Sequence, residues 1–169
     1  MRVFKLVETI DYNIDCSPRG AFTIMVKINE KWGIKLFFDK HERDYIYENQ
    51  KTFAQYGYGP EVGGKIDFRD VYRQYGYITE IVETVIPGHL VGSERSQYAE
   101  EFYEKYGGYD DQEDNEIKEI IQEMEETTGI AMTDMHAGNW GWKNGQLIPI
   151  DFGFDYRKAI NEQREEKRD

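Results

Sequence analysis

The chain has 169 residues, enough for one domain with a sizeable core and too few for two independent ones. Acidic residues outnumber basic ones by 33 to 21, for a formal charge of -12, which disfavours nucleic acid and anionic membrane surfaces as partners but admits a nucleotide whose Mg²⁺ is held by carboxylates. The lone cysteine, Cys16, excludes an intramolecular disulfide and a cysteine-based zinc cluster; with no apolar run of membrane-spanning length and no signal-peptide pattern in residues 1–13, the expected address is cytoplasmic.

Residues 3–8, 21–29 and 32–38 are rich in β-branched and aromatic side chains, with turn-forming residues over 11–20 and at Glu30-Lys31, and predict a three-stranded antiparallel meander. Asp39 stands three residues before Glu42, the spacing of a capping box, and Ile46, Phe53 and Ala54 continue a helix to about Tyr56, where Gly57 and Gly59-Pro60 stop it. Residues 65–71 and 75–86 read as two further strands, the second ended by Pro87-Gly88. A β-rich half thus precedes an α-rich half, with residues 87–92 as the expected hinge.

Beyond it the pattern predicts a helix over 93–106, a Gly107-Gly108 break and a solvated acidic loop through Asp110, Asp111, Glu113 and Asp114. Ile117, Ile120, Ile121 and Met124 then mark one face of a second helix that Asn115 caps and Gly129 ends. Residues 140–142 and 146–150 flank Lys143-Asn144-Gly145, a strong hairpin signal, in which Trp140 and Trp142 share a face. From Tyr156 the chain reads as a charged helix or frayed tail.

The chemistry concentrates at the two ends of that hairpin. Asp134 and Asn139 are five residues apart in the preceding loop, and Asp151 stands twelve after Asn139, so hairpin closure brings all three toward one pocket. Asn139 and Asp151 offer hard oxygens suited to Mg²⁺ on nucleotide phosphates, which leaves Asp134 to orient or deprotonate a hydroxyl. His136, inside the loop, is read as bracing its backbone.

These residues resemble the protein-kinase-like phosphotransferases, nearer the aminoglycoside and choline kinase type than the eukaryotic protein kinases. Asp134-Met135-His136-Ala137-Gly138-Asn139 is similar to the D-x-H-x-G-N catalytic loop of that branch, and Asp151-Phe152-Gly153 follows at the expected distance. The resemblance implies Asp134 as catalytic base, Asn139 and Asp151 as metal ligands, Lys35 as the lysine on the nucleotide phosphates and Glu48 as its ion-pair partner. It implies further that the backbone of Glu80 and Val82 holds the adenine and that Gly20 belongs to the phosphate loop, where Asp15-Cys16-Ser17-Pro18-Arg19-Gly20 carries one glycine and a proline without a donor N–H.

The fold it implies is α+β and two-lobed, a single kinase-like domain with an antiparallel sheet and one helix in residues 1–86 and a shortened helical lobe in 87–169. ATP and Mg²⁺ are the implied cofactors, and the acceptor is a hydroxyl on a small molecule or protein. Sixteen residues follow Gly153, fewer than a substrate platform needs, so a second copy or a protein partner is expected to complete the substrate surface. The alternative is a catalytically inactive pseudokinase acting as a nucleotide-binding or partner-protein-binding regulatory module.

Overall fold

A computed structural model describes residues 24–69 and 74–168. The predicted strand at 3–8, the turn region 11–20 with Gly20, and residues 21–23 and 70–73 lie outside the described residues. What is described is an α+β fold of two antiparallel sheets and four α-helices.

Strands β1 (Ile24–Lys27) and β2 (Trp32–Phe37) form the predicted hairpin, Ile24 opposite Leu36 and Lys27 opposite Gly33. Asn29 closes its turn by accepting from the N–H groups of Lys31 and Trp32. Helix α1 (Lys40–Gln55) begins where predicted, because the Asp39 carboxylate accepts from the N–H groups of His41 and Glu42 and satisfies two first-turn donors. Strands β3 (Val62–Asp67) and β4 (Tyr75–Glu80) complete a sheet of order β1-β2-β4-β3.

Helix α1 packs on that sheet through Arg43, Ile46, Gln50 and Phe53, all buried and spaced three or four apart. Arg43 is unusual there, at 2% exposure. Its guanidinium donates to Asp44, Asp67 and the Gly76 carbonyl, so α1 is tied to both β3 and β4. Burial alone would lower its pKa, but the hydrogen bonds it donates to Asp67 and Asp44 outweigh that and raise it.

The single strand predicted over 75–86 is in fact two. After Glu80 the chain leaves the first sheet, and β5 (Glu83–Thr84) pairs instead with β6 (Trp140–Lys143), which pairs with β7 (Gln146–Pro149). The chain therefore passes from one sheet to the other at Ile81-Val82. Its backbone is pinned before the break, Glu80 N–H donating to the Glu61 carbonyl and Ile81 N–H to the Lys31 carbonyl. The strand predicted over 65–71 is likewise displaced, running from Val62 to Asp67.

Helices α2 (Gly92–Tyr106) and α3 (Glu116–Thr128) follow, the latter capped by Asn115 on Lys118 N–H and ended by Gly129 in the left-handed region at φ 73. The acidic loop between them is exposed, yet Asp111 accepts from Gly108 N–H and Asn115, which shapes the entry to α3. Asn144 and Gly145 take φ of 52 and 75, the geometry of a two-residue hairpin turn with both central residues left-handed. Trp140 is fully buried and Trp142 packs beside it on the same core, against Tyr106. Helix α4 (Tyr156–Glu166) ends the described chain, and among the described residues no helix is long and apolar enough to cross a membrane.

Candidate functional site

Asp134, Asn139 and Asp151 line one cleft of about 70 Å³ together with Thr133, Gly153 and Phe154. A larger hollow of about 400 Å³ lies against α3, with Tyr109, Ile121 and Met132 in its wall, and contains none of the three. The functional groups gather in the smaller one.

The loop from 130 to 136 has no regular structure, and its shape is fixed by side chains. Trp140 Nε1 donates to the Met135 carbonyl (3.1 Å), Tyr103 OH accepts from Ala137 N–H (2.9 Å), and His136 Nδ1 accepts from Gly138 N–H (3.1 Å). His136 thus braces the backbone as predicted. A 3-10 turn over Ala137–Asn139 then leads into β6.

Asp134 sits in the left-handed region at φ 55, a conformation that aspartate tolerates better than most residues. Its side chain is three-quarters exposed, with Oδ2 3.9 Å from His136 Nε2, and its carbonyl accepts from Asn139 Nδ2 at 2.6 Å. That bond commits the nitrogen end of the Asn139 amide and leaves its oxygen for another partner. The Asp134 charge is felt at Tyr109, whose phenol is pushed up by burial first and then by Asp134 and Asp110.

The other end of the hairpin is closed by Ile150 N–H donating to the Asn139 carbonyl at 3.0 Å, which carries the pairing one residue past β6 and β7 and sets Asp151 next to Asn139. Asp151 Oδ1 accepts from Gly153 N–H (3.1 Å), and its carboxylate is otherwise exposed to the cleft. Phe152 is the anchor. Fully buried, it packs edge-on against Phe53 of α1 (5.4 Å between centroids) and near Phe154 (5.9 Å), while its carbonyl accepts from Asn49.

Lys35 reaches the same region from β2. Its ammonium donates to the Ile150 carbonyl (2.9 Å) and to Gln50 Oε1 (3.2 Å), and lies 5.5 Å from the centre of the Phe152 ring. Burial lowers its pKa to about 8, against an upward pull from the Asp151 charge. Here the structure corrects the sequence reading: Glu48 is exposed on α1, and Gln50 takes the place beside Lys35. Glu48 stands two residues from Gln50, roughly 200° around a helix, and so points away from the sheet. The signal was available, since Gln50 lies four after Ile46 and three before Phe53, on the buried stripe.

Glu80 and Val82 flank the crossing between the sheets. The Glu80 side chain forms an ion pair with Lys143 of β6 at 2.8 Å and accepts from Glu61 N–H. Burial would raise its pKa, but the Lys143 hydrogen bond and the Glu61 N–H overcome that and lower it. The backbone of Val82 makes no backbone hydrogen bond among the described residues.

Among the described residues no group of three or more His, Cys, Asp and Glu side chains surrounds a common metal position. A nucleotide-bound Mg²⁺ asks for less, one or two carboxylates with phosphate and water completing its shell. Asp151 and the uncommitted oxygen of Asn139 fit that donor set. Comparison of the chain with protein-family models, with curated proteins and with solved structures finds no match.

Proposed function

We propose that the chain is a protein-kinase-like phosphotransferase that moves the γ-phosphoryl group of Mg·ATP to a hydroxyl, with a two-lobed arrangement in which Ile81-Val82 joins the lobes. The observation that carries this reading is the convergence of Asp134, Asn139 and Asp151 on one cleft, with the Lys35 ammonium docked on the carbonyl that precedes Asp151. Four polar groups from three separated segments meeting at one place have no evident structural need, because Asp134 and Asp151 remain exposed.

In this reading Asp151 and Asn139 hold Mg²⁺, which when bound neutralises charge on the phosphates. Lys35, docked on the Ile150 carbonyl next to Asp151, contacts the nucleotide phosphates. The N–H of Val82 and the carbonyl of Glu80 face the adenine edge. Asp134, exposed and with its backbone held by the Asn139 bond to its carbonyl, accepts the proton of the incoming hydroxyl. The acceptor oxygen forms its bond to the γ-phosphorus as the β–γ bridging P–O bond breaks, ADP leaves, and the proton resides on Asp134.

One observation favours the second reading, a pseudokinase that regulates a partner: the lysine faces a neutral amide where the family resemblance implies a carboxylate. A thermal shift separates the two. Millimolar ATP with Mg²⁺ is expected to raise the Tm by several degrees relative to ATP with chelator, and Asp151→Asn to abolish the difference, because a ligand that binds only the native state stabilises it. An unchanged Tm in the wild-type protein would favour the partner-binding module.

A further inference from the structure

Gln50 is fully buried on α1 and all four hydrogen-bonding positions of its amide are used. Oε1 accepts from Tyr77 OH (2.6 Å) and from Lys35 Nζ (3.2 Å), while Nε2 donates to the Pro60 carbonyl (3.1 Å) and to Thr79 Oγ1 (2.7 Å). The orientation of the amide follows from chemistry alone, since an ammonium can only donate and a carbonyl can only accept. Thr79 in turn donates to the Glu80 carbonyl (3.2 Å), so one chain of hydrogen bonds runs from Lys35 to the crossing between the sheets.

We propose that Gln50 is the positioning residue for Lys35, an acceptor that holds the ammonium in place for the phosphates of the nucleotide. The proposal rests on reading Lys35 as the phosphate-contacting lysine. A carboxylate at position 50 would still accept from the ammonium but would set an oxygen against the Pro60 carbonyl, which offers no proton; the pocket is built for an amide. Of the three ammonium protons, Gln50 and the Ile150 carbonyl engage two, and the third is left for a ligand.

Two substitutions separate positioning from structure. Gln50→Met keeps the length and the packing but removes the acceptor. Gln50→Glu keeps an acceptor for Lys35 and loses both donations, to Pro60 and Thr79. Calorimetric titration with Mg·ADP and with adenosine, alongside melting curves, is expected to show Gln50→Met binding adenosine as the wild type does and Mg·ADP about tenfold more weakly. Gln50→Glu is expected to melt lower than the wild type yet bind Mg·ADP better than Gln50→Met.

A purely structural Gln50 would make both affinities follow the melting temperature. The proposal is overturned if Gln50→Met binds Mg·ADP as tightly as the wild type, or if Gln50→Glu loses as much affinity as Gln50→Met. Should Gln50→Met not fold, Gln50→Asn, which draws the amide back by one methylene, takes its place with the same outcomes. Wild-type protein that binds neither ligand would instead sink the phosphotransferase reading.

Discussion

Lys35 keeps its charge against the folding equilibrium, and methionine in its place would show by how much. Burial lowers the ammonium pKa from 10.5 to about 8 with Asp151 pulling the other way, while the unfolded chain keeps the ordinary value. Between these two values the unfolded chain binds more protons than the folded one, so stability rises with pH across the window. Below it the whole penalty is present, about 3 kcal/mol for a displacement of this size. Lys35→Met removes that penalty but also takes a donor from Gln50 Oε1 and from the Ile150 carbonyl, about 1 kcal/mol each. The variant is therefore expected to be the more stable protein at about pH 7, by roughly 1 kcal/mol. At about pH 9.5 less than half of the penalty remains and the order reverses, a relative change of about 2 kcal/mol. Urea unfolding of both proteins at the two pH values measures this directly. A stability difference that is the same at both would refute the buried, charged state assigned to Lys35.

Four other substitutions test the scaffold. Arg43→Met should cost about 3 kcal/mol in chemical denaturation, since it strands the Gly76 carbonyl and unties α1 from β3 and β4, whereas Asp67→Asn, at a carboxylate 57% exposed, should cost less than about 1 kcal/mol. Gly141→Ala would bring a Cβ within 2.7 Å of the Glu83 carbonyl and 2.8 Å of Ile150, so a loss of about 2 kcal/mol is expected, read as a fall in the urea midpoint. Phe152→Ala should cost about 4 kcal/mol and, by freeing the segment that carries Asp151, should weaken Mg·ATP binding by more than the loss of stability accounts for; calorimetry with folded protein at low temperature checks it.

Local signals were legible wherever a side chain bonds to the backbone next to it. Asp39 and Asn115 cap the helices that their positions predict, Gly129 ends α3, and Asn144-Gly145 makes its turn, because each of these acts within a few residues. The break at Ile81-Val82 was not legible. Ile78, Thr79, Ile81, Val82 and Thr84 form a β-branched run interrupted only by Glu80 and Glu83, and what divides it is the choice of partner, β2 and β3 before the crossing and β6 after it. Convergence of Asp134, Asn139 and Asp151 could be read from the spacing of a hairpin. The neighbour of Lys35 could not be read from charge: an acidic residue was sought, and the rotation of α1 on the sheet presents Gln50 instead.

The contacts that build the cleft span most of the chain. Lys35 meets the Ile150 carbonyl across 115 residues, Tyr45 bonds to the Phe154 carbonyl across 109, and Asn49 to that of Phe152 across 103. During synthesis the first sheet and α1 emerge with Lys35, Tyr45 and Asn49 lacking these partners until residues 150–154 have left the ribosome. Loop closure over such distances is slow compared with hairpin or helix formation, so the cleft assembles last. A nascent or truncated chain that stops before Ile150 therefore presents the apolar face around Phe53 to chaperones, and quality control can distinguish an unfinished chain from a completed one by the same surface on which Phe152 later docks.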